Sequence, residues 1–243
     1  MYGWRGRIGL LVPSSNTTME SEFQKMLPED ISLHTSRMIQ TTETEEDLMQ
    51  MAEYAERAAR EVATADVNVI IYGCTSGSFL KGEKWNEGFT KKLNEVTGKP
   101  VITTATAVKQ ALDILKINKL FLIIPYPEET KQKEKMWLES LGFKVVKIIE
   151  LIRSTYSQPI ENLEIGRIVP QLVYAEVKRN YPPGTNGIFI SCTNLRTIEI
   201  IDIIEEDFDV PVVTSNQASM WAALKKIGYK RSINGFGKLL KQY

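Results

Sequence analysis

The two halves of this chain repeat each other. IGLLVPSSNTT from Ile8 aligns with LFLIIPYPEET from Leu120, VIIYGCTSGS from Val69 with GIFISCTNLR from Gly187, and KPVITTATA from Lys99 with VPVVTSNQA from Val210. Pro13 and Pro125 are 112 residues apart, Cys74 and Cys192 118, and Pro100 and Pro211 111. Three landmarks in one order at nearly one offset are the mark of an internal duplication. With 243 residues, each half is long enough to be a lobe with its own buried sheet.

Within each half, short β-rich runs alternate with amphipathic stretches, the pattern of a parallel sheet with crossover helices. Strands are expected at Arg7–Val12, Ile31–Ile39, Val67–Tyr72 and Pro100–Thr104, then at Lys119–Ile124, Phe143–Ile149, Gly187–Ser191 and Pro211–Thr214, each followed by a helix. Apolar faces mark the first three helices: Met19, Phe23, Met26 and Leu27; Leu48, Met51, Ala52, Ala55, Ala59 and Val62; Trp85, Phe89, Leu93 and Val96. Thr44 is placed to cap the second, ahead of Glu45, Glu46 and Asp47, whose charges suit its dipole. Pro170 sits inside an apolar period and should start its helix late or bend it. The expected class is α/β with four βα units twice. Residues 1–115 form one lobe and 116–215 the other, with 216–243 free to pack on the first.

Composition narrows the function. Thirty Lys and Arg balance thirty Asp and Glu, so no basic field favours nucleic acid, and no membrane partner is indicated. The early apolar run Ile8–Val12 is shorter than a signal peptide needs, which places the protein in the cytoplasm as an expectation. One histidine, His34, and two distant cysteines leave almost no ligands for a metal site and no Ser/His hydrolase pattern, so His34 is read as structural. Neither GxGxxG nor GxxxxGK[ST] occurs, so no nucleotide cofactor is expected.

The chemistry then falls to the duplicated strand ends. Cys74 and Cys192 each close an apolar strand and precede small polar residues, Thr75 and Ser76 in one half, Thr193 and Asn194 in the other. A helix starting just beyond would lower the thiol pKa and hold an anion. A lone buried cysteine is usually a small hydrophobe, but core packing gives no reason for the only two to be equivalent. Ser15 and Asn16 lie in a hydroxyl- and amide-rich turn after the first strand; Tyr126 occupies the equivalent place in the second half.

These motifs, VPSSNTTME at Pro13–Glu20 after Val12, YGCTSGS at Tyr72–Ser78, Pro125 with Tyr126, and SCTN at Ser191–Asn194, resemble the aspartate/glutamate racemase superfamily, in its branch of maleate cis-trans isomerases and arylmalonate decarboxylases. The resemblance covers essentially the whole chain. It implies two pseudo-symmetric flavodoxin-like lobes, a cofactor-free site between them, one cysteine from each lobe, and a possible homodimer. In maleate isomerases the matching residues are Asn16, Cys74, Tyr126 and Cys192. The decarboxylases have glycine in place of Cys74, so two cysteines point to an isomerase or racemase. Residues matching Thr75, Ser76 and Tyr126 hold a carboxylate in the decarboxylases. After Cys192 the stretch Thr193–Thr197 is more similar to relatives associated with ectoine utilisation, and Arg196 there is a candidate partner for a substrate carboxylate, the alternative being a surface ion pair.

The expectation is a cofactor-independent isomerase of a small dicarboxylate, maleate to fumarate through a Cys74 adduct. The alternatives are a two-cysteine racemase of Asp, Glu or hydantoin type acting on an amino-acid substrate, a decarboxylase-like enzyme, and a carboxylate-binding protein without chemistry.

Overall fold

The computed structural model describes residues 1–151 and 162–243. Its elements run in the order β1 (Gly6–Pro13), α1 (Met19–Met26), β2 (Ile31–Met38), α2 (Glu45–Ala63), β3 (Val69–Tyr72), α3 (Thr75–Phe79), α4 (Glu83–Thr97), β4 (Val101–Thr103) and α5 (Thr104–Ile114). The second half continues with β5 (Lys119–Ile124), α6 (Glu128–Ser140), β6 (Lys144–Glu150), α7 (Asn162–Ile165), α8 (Pro170–Asn180), β7 (Gly187–Ile190), α9 (Ile201–Phe208), β8 (Val212–Thr214), α10 (Ser215–Lys226) and α11 (Gly237–Gln242). The described residues form two four-stranded parallel sheets, ordered β2-β1-β3-β4 and β6-β5-β7-β8. The repeated strand order is the duplication made visible, and the expected strands fall where the alternation placed them.

Local chemistry explains the boundaries. Thr44 caps α2 by accepting from the Asp47 amide, and Pro170 is the first residue of α8, where its missing N–H costs nothing. The duplicated Thr103 and Thr214 both cap the helix that follows their strand, Thr103 from the Thr106 amide and Thr214 in a reciprocal capping box with Gln217.

The inner strands β1, β3, β5 and β7 are buried on both faces and read as near-continuous apolar runs, whereas the edge strands β2 and β6 are mostly half-buried and carry polar residues. One core cluster runs through both lobes, joining Ile8, Leu10, Val12 and Ile71 of the first sheet to Leu120, Leu122, Ile190 and Val213 of the second through α5 and α10. A smaller cluster fills the far side of the first sheet under α2, around Leu11, Met51, Ala55 and Tyr72. Helix α10 lies on α5 and α1 and also meets β3, β4 and β8, whereas α11 packs on α9 and β8. No helix among the described residues is long and apolar enough to cross a membrane.

Candidate active site

The parallel sheets present the carboxyl ends of β1, β3, β5 and β7 to one another, where open α/β sheets bind ligands. Cys74 is the N-cap of α3: its Sγ accepts from the Gly77 amide at 3.3 Å and lies 3.7 Å from Ser76 Oγ. The space around Gly77 is tight for any side chain. A Cβ there would stand 3.1 Å from Cys74 Sγ and 3.0 Å from both Tyr72 Oη and Met51 Cε.

Cys192 ends β7 in a different way. It has φ +105°, outside the range most side chains tolerate, and no helix follows directly, since α9 begins only at Ile201. The expected helix after the second cysteine is therefore absent. Cys192 Sγ instead accepts from the Asn194 amide at 3.4 Å, while its own N–H donates to Ser215 Oγ at 3.0 Å. Both thiols are free and buried, and close enough to influence each other's ionisation.

A hydrogen-bond network crosses between the lobes around them. Thr75 Oγ1 donates to Ser215 Oγ at 2.9 Å. Asn16 caps the approach to α1 through Oδ1, which accepts from the Thr18 and Met19 amides, and its Nδ2 donates to Thr193 Oγ1 at 3.0 Å. Thr193 in turn donates to the Gly73 carbonyl at 3.2 Å. Asn194 accepts from the Thr17 amide on its side chain and from Thr18 Oγ1 on its carbonyl. Ser15 Oγ donates to Gln40 Oε1 at 3.2 Å. Tyr126 is buried with its hydroxyl beside Cys192. Thus Ser15, Asn16, Cys74, Thr75, Ser76, Tyr126, Cys192, Thr193 and Asn194 converge. Arg196 does not: it is at the surface, paired with Glu199 at 3.3 Å. A turn rather than a helix after Cys192 carries its side chain outward.

The electrostatics also depart from expectation. Burial, aided by the negative charge of Glu43, pushes the Cys74 thiol up to about 12, and the bond from the Gly77 amide only tempers this. Burial raises Cys192 too, again with help from Glu43. The thiol lowering anticipated from a helix N-terminus is overridden, because α3 has barely one turn and cannot offset desolvation. Burial likewise pushes Glu43 up to about 7 against hydrogen bonds from Ser76 and Gln40.

Sequence reasoning passed over several residues here. Glu43, just before the α2 cap, reaches Ser76 with Oε2 at 3.0 Å. Ser215 and Asn216 follow the duplicated threonine cap, and their match to Thr104 and Ala105 was the available signal. Glu22 of α1 accepts from the Thr197 and Ile198 amides and from Asn216 Nδ2, the last at 2.6 Å. Among the described residues no group of three or more His, Cys, Asp or Glu side chains could hold a metal ion.

Known proteins share this fold. The maleate isomerase of Geobacillus stearothermophilus is 29% identical over 248 residues, covering 96% of each chain. The TRIS-bound maleate cis-trans isomerase of Nocardia farcinica superposes with TM-score 0.91 at 26% identity over 98% of both chains. A mutant of that enzyme with a covalently bound succinylcysteine intermediate gives TM-score 0.91 at 25% identity, over 98% of this chain and 99% of that one. The family model described as arylmalonate decarboxylase matches residues 8–240, nearly the full length, and the chain accordingly belongs to the arylmalonate decarboxylase family.

Proposed function

We propose that this protein is a cofactor-independent isomerase of a small dicarboxylate, converting maleate to fumarate through a covalent adduct at Cys74. The observation that carries the proposal is the pair of duplicated thiols, one per lobe, at facing strand ends in one interconnected site. Support comes from relatives named maleate isomerase, beside one arylmalonate decarboxylase, and from a neighbour holding a succinylcysteine.

In this mechanism Cys74 sulfur adds to one alkene carbon, and Cys192 delivers its proton to the adjacent carbon. The former double bond is then single and rotates. Cys192 sulfur takes the proton back as the C–S bond breaks, and the electron pair of the C–H bond forms the new trans alkene. Asn16, Tyr126, Thr75, Thr193 and the amides after each cysteine hold the carboxylates and the charge that develops during addition.

Two thiols flanking a stereocentre would equally serve a racemase. Maleate offered to the purified protein should give fumarate by NMR, with turnover lost in Cys74→Ala. Undiminished turnover in that variant excludes the adduct, and deuterium entering the α-carbon of an amino acid in place of alkene conversion identifies a racemase.

A further inference from the structure

A thiol held near 12 is almost fully protonated at neutral pH, so a mechanism through Cys74 needs somewhere for its proton to go. The structure holds a candidate path. Ser76 Oγ donates to Glu43 Oε2 at 3.0 Å, and its remaining lone pairs face Cys74 Sγ at 3.7 Å. Because the Ser76 hydrogen is committed to Glu43, the Cys74–Ser76 contact has one consistent polarity, with S–H donating to Oγ. The Gly77 amide approaches the same sulfur at 3.3 Å and is positioned to hold the charge left behind.

We infer that Glu43, acting through Ser76, receives the proton of Cys74 when its sulfur attacks, forming a Cys74–Ser76–Glu43 relay. As the sulfur lone pair forms the C–S bond, the S–H proton passes to Ser76 Oγ and the Ser76 proton to Glu43 Oε2. When the C–S bond breaks, its electron pair returns to sulfur and both protons retrace their path, so atoms and charge balance over the cycle. In this relay Glu43 acts through Ser76, as a positioning residue that receives the proton at one remove.

Glu43 is matched to this task. Burial lifts it to about 7, where an acceptor is both ionised and basic at neutral pH. The titratable groups around it are Asp47 on α2, which pushes it up, and Cys74, Cys192 and Tyr126, each of which feels its charge. Burial holds those thiols and the phenol protonated well above neutrality, and hydrogen bonds from Thr41 and Thr42 hold Asp47 below the usual carboxylate range despite its own burial. Within this group Glu43 alone changes charge near pH 7.

The relay rests on Cys74 being the nucleophile, and its test avoids maleate so that the two ideas fail separately. Cys74 alkylation by iodoacetamide, located by peptide mass spectrometry, should rise with pH through about 7 and then level off in the unmodified protein. Glu43→Gln should slow it roughly 100-fold at neutral pH and abolish that limb. If Glu43 acts on Cys74 only as a nearby negative charge, removing it lowers the thiol pKa and Glu43→Gln reacts faster, which overturns the relay. A profile for the unmodified protein with no inflection between about pH 5 and 9 also overturns it, whatever the variant does. Alkylation behaving as expected in a protein that leaves maleate untouched would preserve the relay and remove the isomerase assignment.

Discussion

Glu134 on α6 has no solvent exposure, and neither of its carboxyl oxygens has a hydrogen-bond partner among the described residues. Ser191 stands close enough to temper its ionisation, but burial dominates and pushes the carboxyl up to about 8. For an acid raised in this way the native state holds a proton that the unfolded chain releases, so stability falls as pH rises from the unfolded pKa, 4.5, to the folded one. Each pH unit in that window is worth about 1.4 kcal/mol. Glu134→Gln keeps the size and the neutral form while removing the titration. Its packing cost is the same at every pH, so the informative quantity is the change in the difference from the unmodified protein. Between about pH 6 and 9 that difference should move by about 3 kcal/mol in favour of the variant. Glu22 and Glu43 titrate in the same range but are present in both proteins and cancel. Urea unfolding at the two pH values measures it, and a difference constant to within about 0.5 kcal/mol would refute a protonated Glu134.

Gly77→Ala should destabilise by about 1–3 kcal/mol and cut the rate of fumarate formation, since its new Cβ must displace Cys74 Sγ, Tyr72 or Met51; urea midpoints and initial rates read the two effects. Thr214→Ala removes the side-chain half of a capping box, leaving the backbone N–H of residue 214 bonded to Gln217, and should cost about 1 kcal/mol, with Thr103→Ala behaving alike at the duplicated position, measured by thermal unfolding. Glu22→Ala strips the partner from two buried amides and from Asn216, for an expected loss of about 3 kcal/mol or more by urea unfolding, larger at acid than at alkaline pH because burial raises the Glu22 carboxyl to about 7.

The strand positions and the placement of both cysteines at strand ends could be read from the chain because they rest on local and repeated signals. Apolar runs such as Leu120–Ile124 and caps such as Thr44 act within a few residues, and the duplication supplied the pairing of distant parts. The buried acids were not legible. Glu43 sits in a run of Thr and Glu whose neighbours Glu45, Glu46 and Asp47 do serve the helix start, and nothing local separates the one that turns inward. Glu45 itself bridges Lys81 and Lys133 from opposite lobes, which holds its carboxyl down to about 2, while Glu43 two residues earlier is pushed the other way. Tertiary placement, invisible in composition, sets both signs. The same gap left Arg196 open between a substrate contact and a surface ion pair, because sequence could not show that the chain leaves Cys192 in a turn.

The duplicated halves are joined in a way that bears on how the two thiols cooperate. Ser215, at the head of α10, accepts from Thr75 beside the first cysteine and from the backbone N–H of the second. Asn16 and Thr193 tie the β1 turn to the β7 turn and to the Gly73 carbonyl, while Glu22 grips Thr197, Ile198 and Asn216. Most of these groups are buried, so parting them would leave polar atoms without partners at about 1–3 kcal/mol each. A shared apolar core through α5 and α10 adds to that resistance. Hinge motion between the sheets would have to break this network, so the separation of Cys74 from Cys192 is set by the fold before a substrate arrives. A reaction that needs one sulfur to attack and another to deliver a proton to the neighbouring carbon benefits directly, because the orientation is already fixed when the ligand binds.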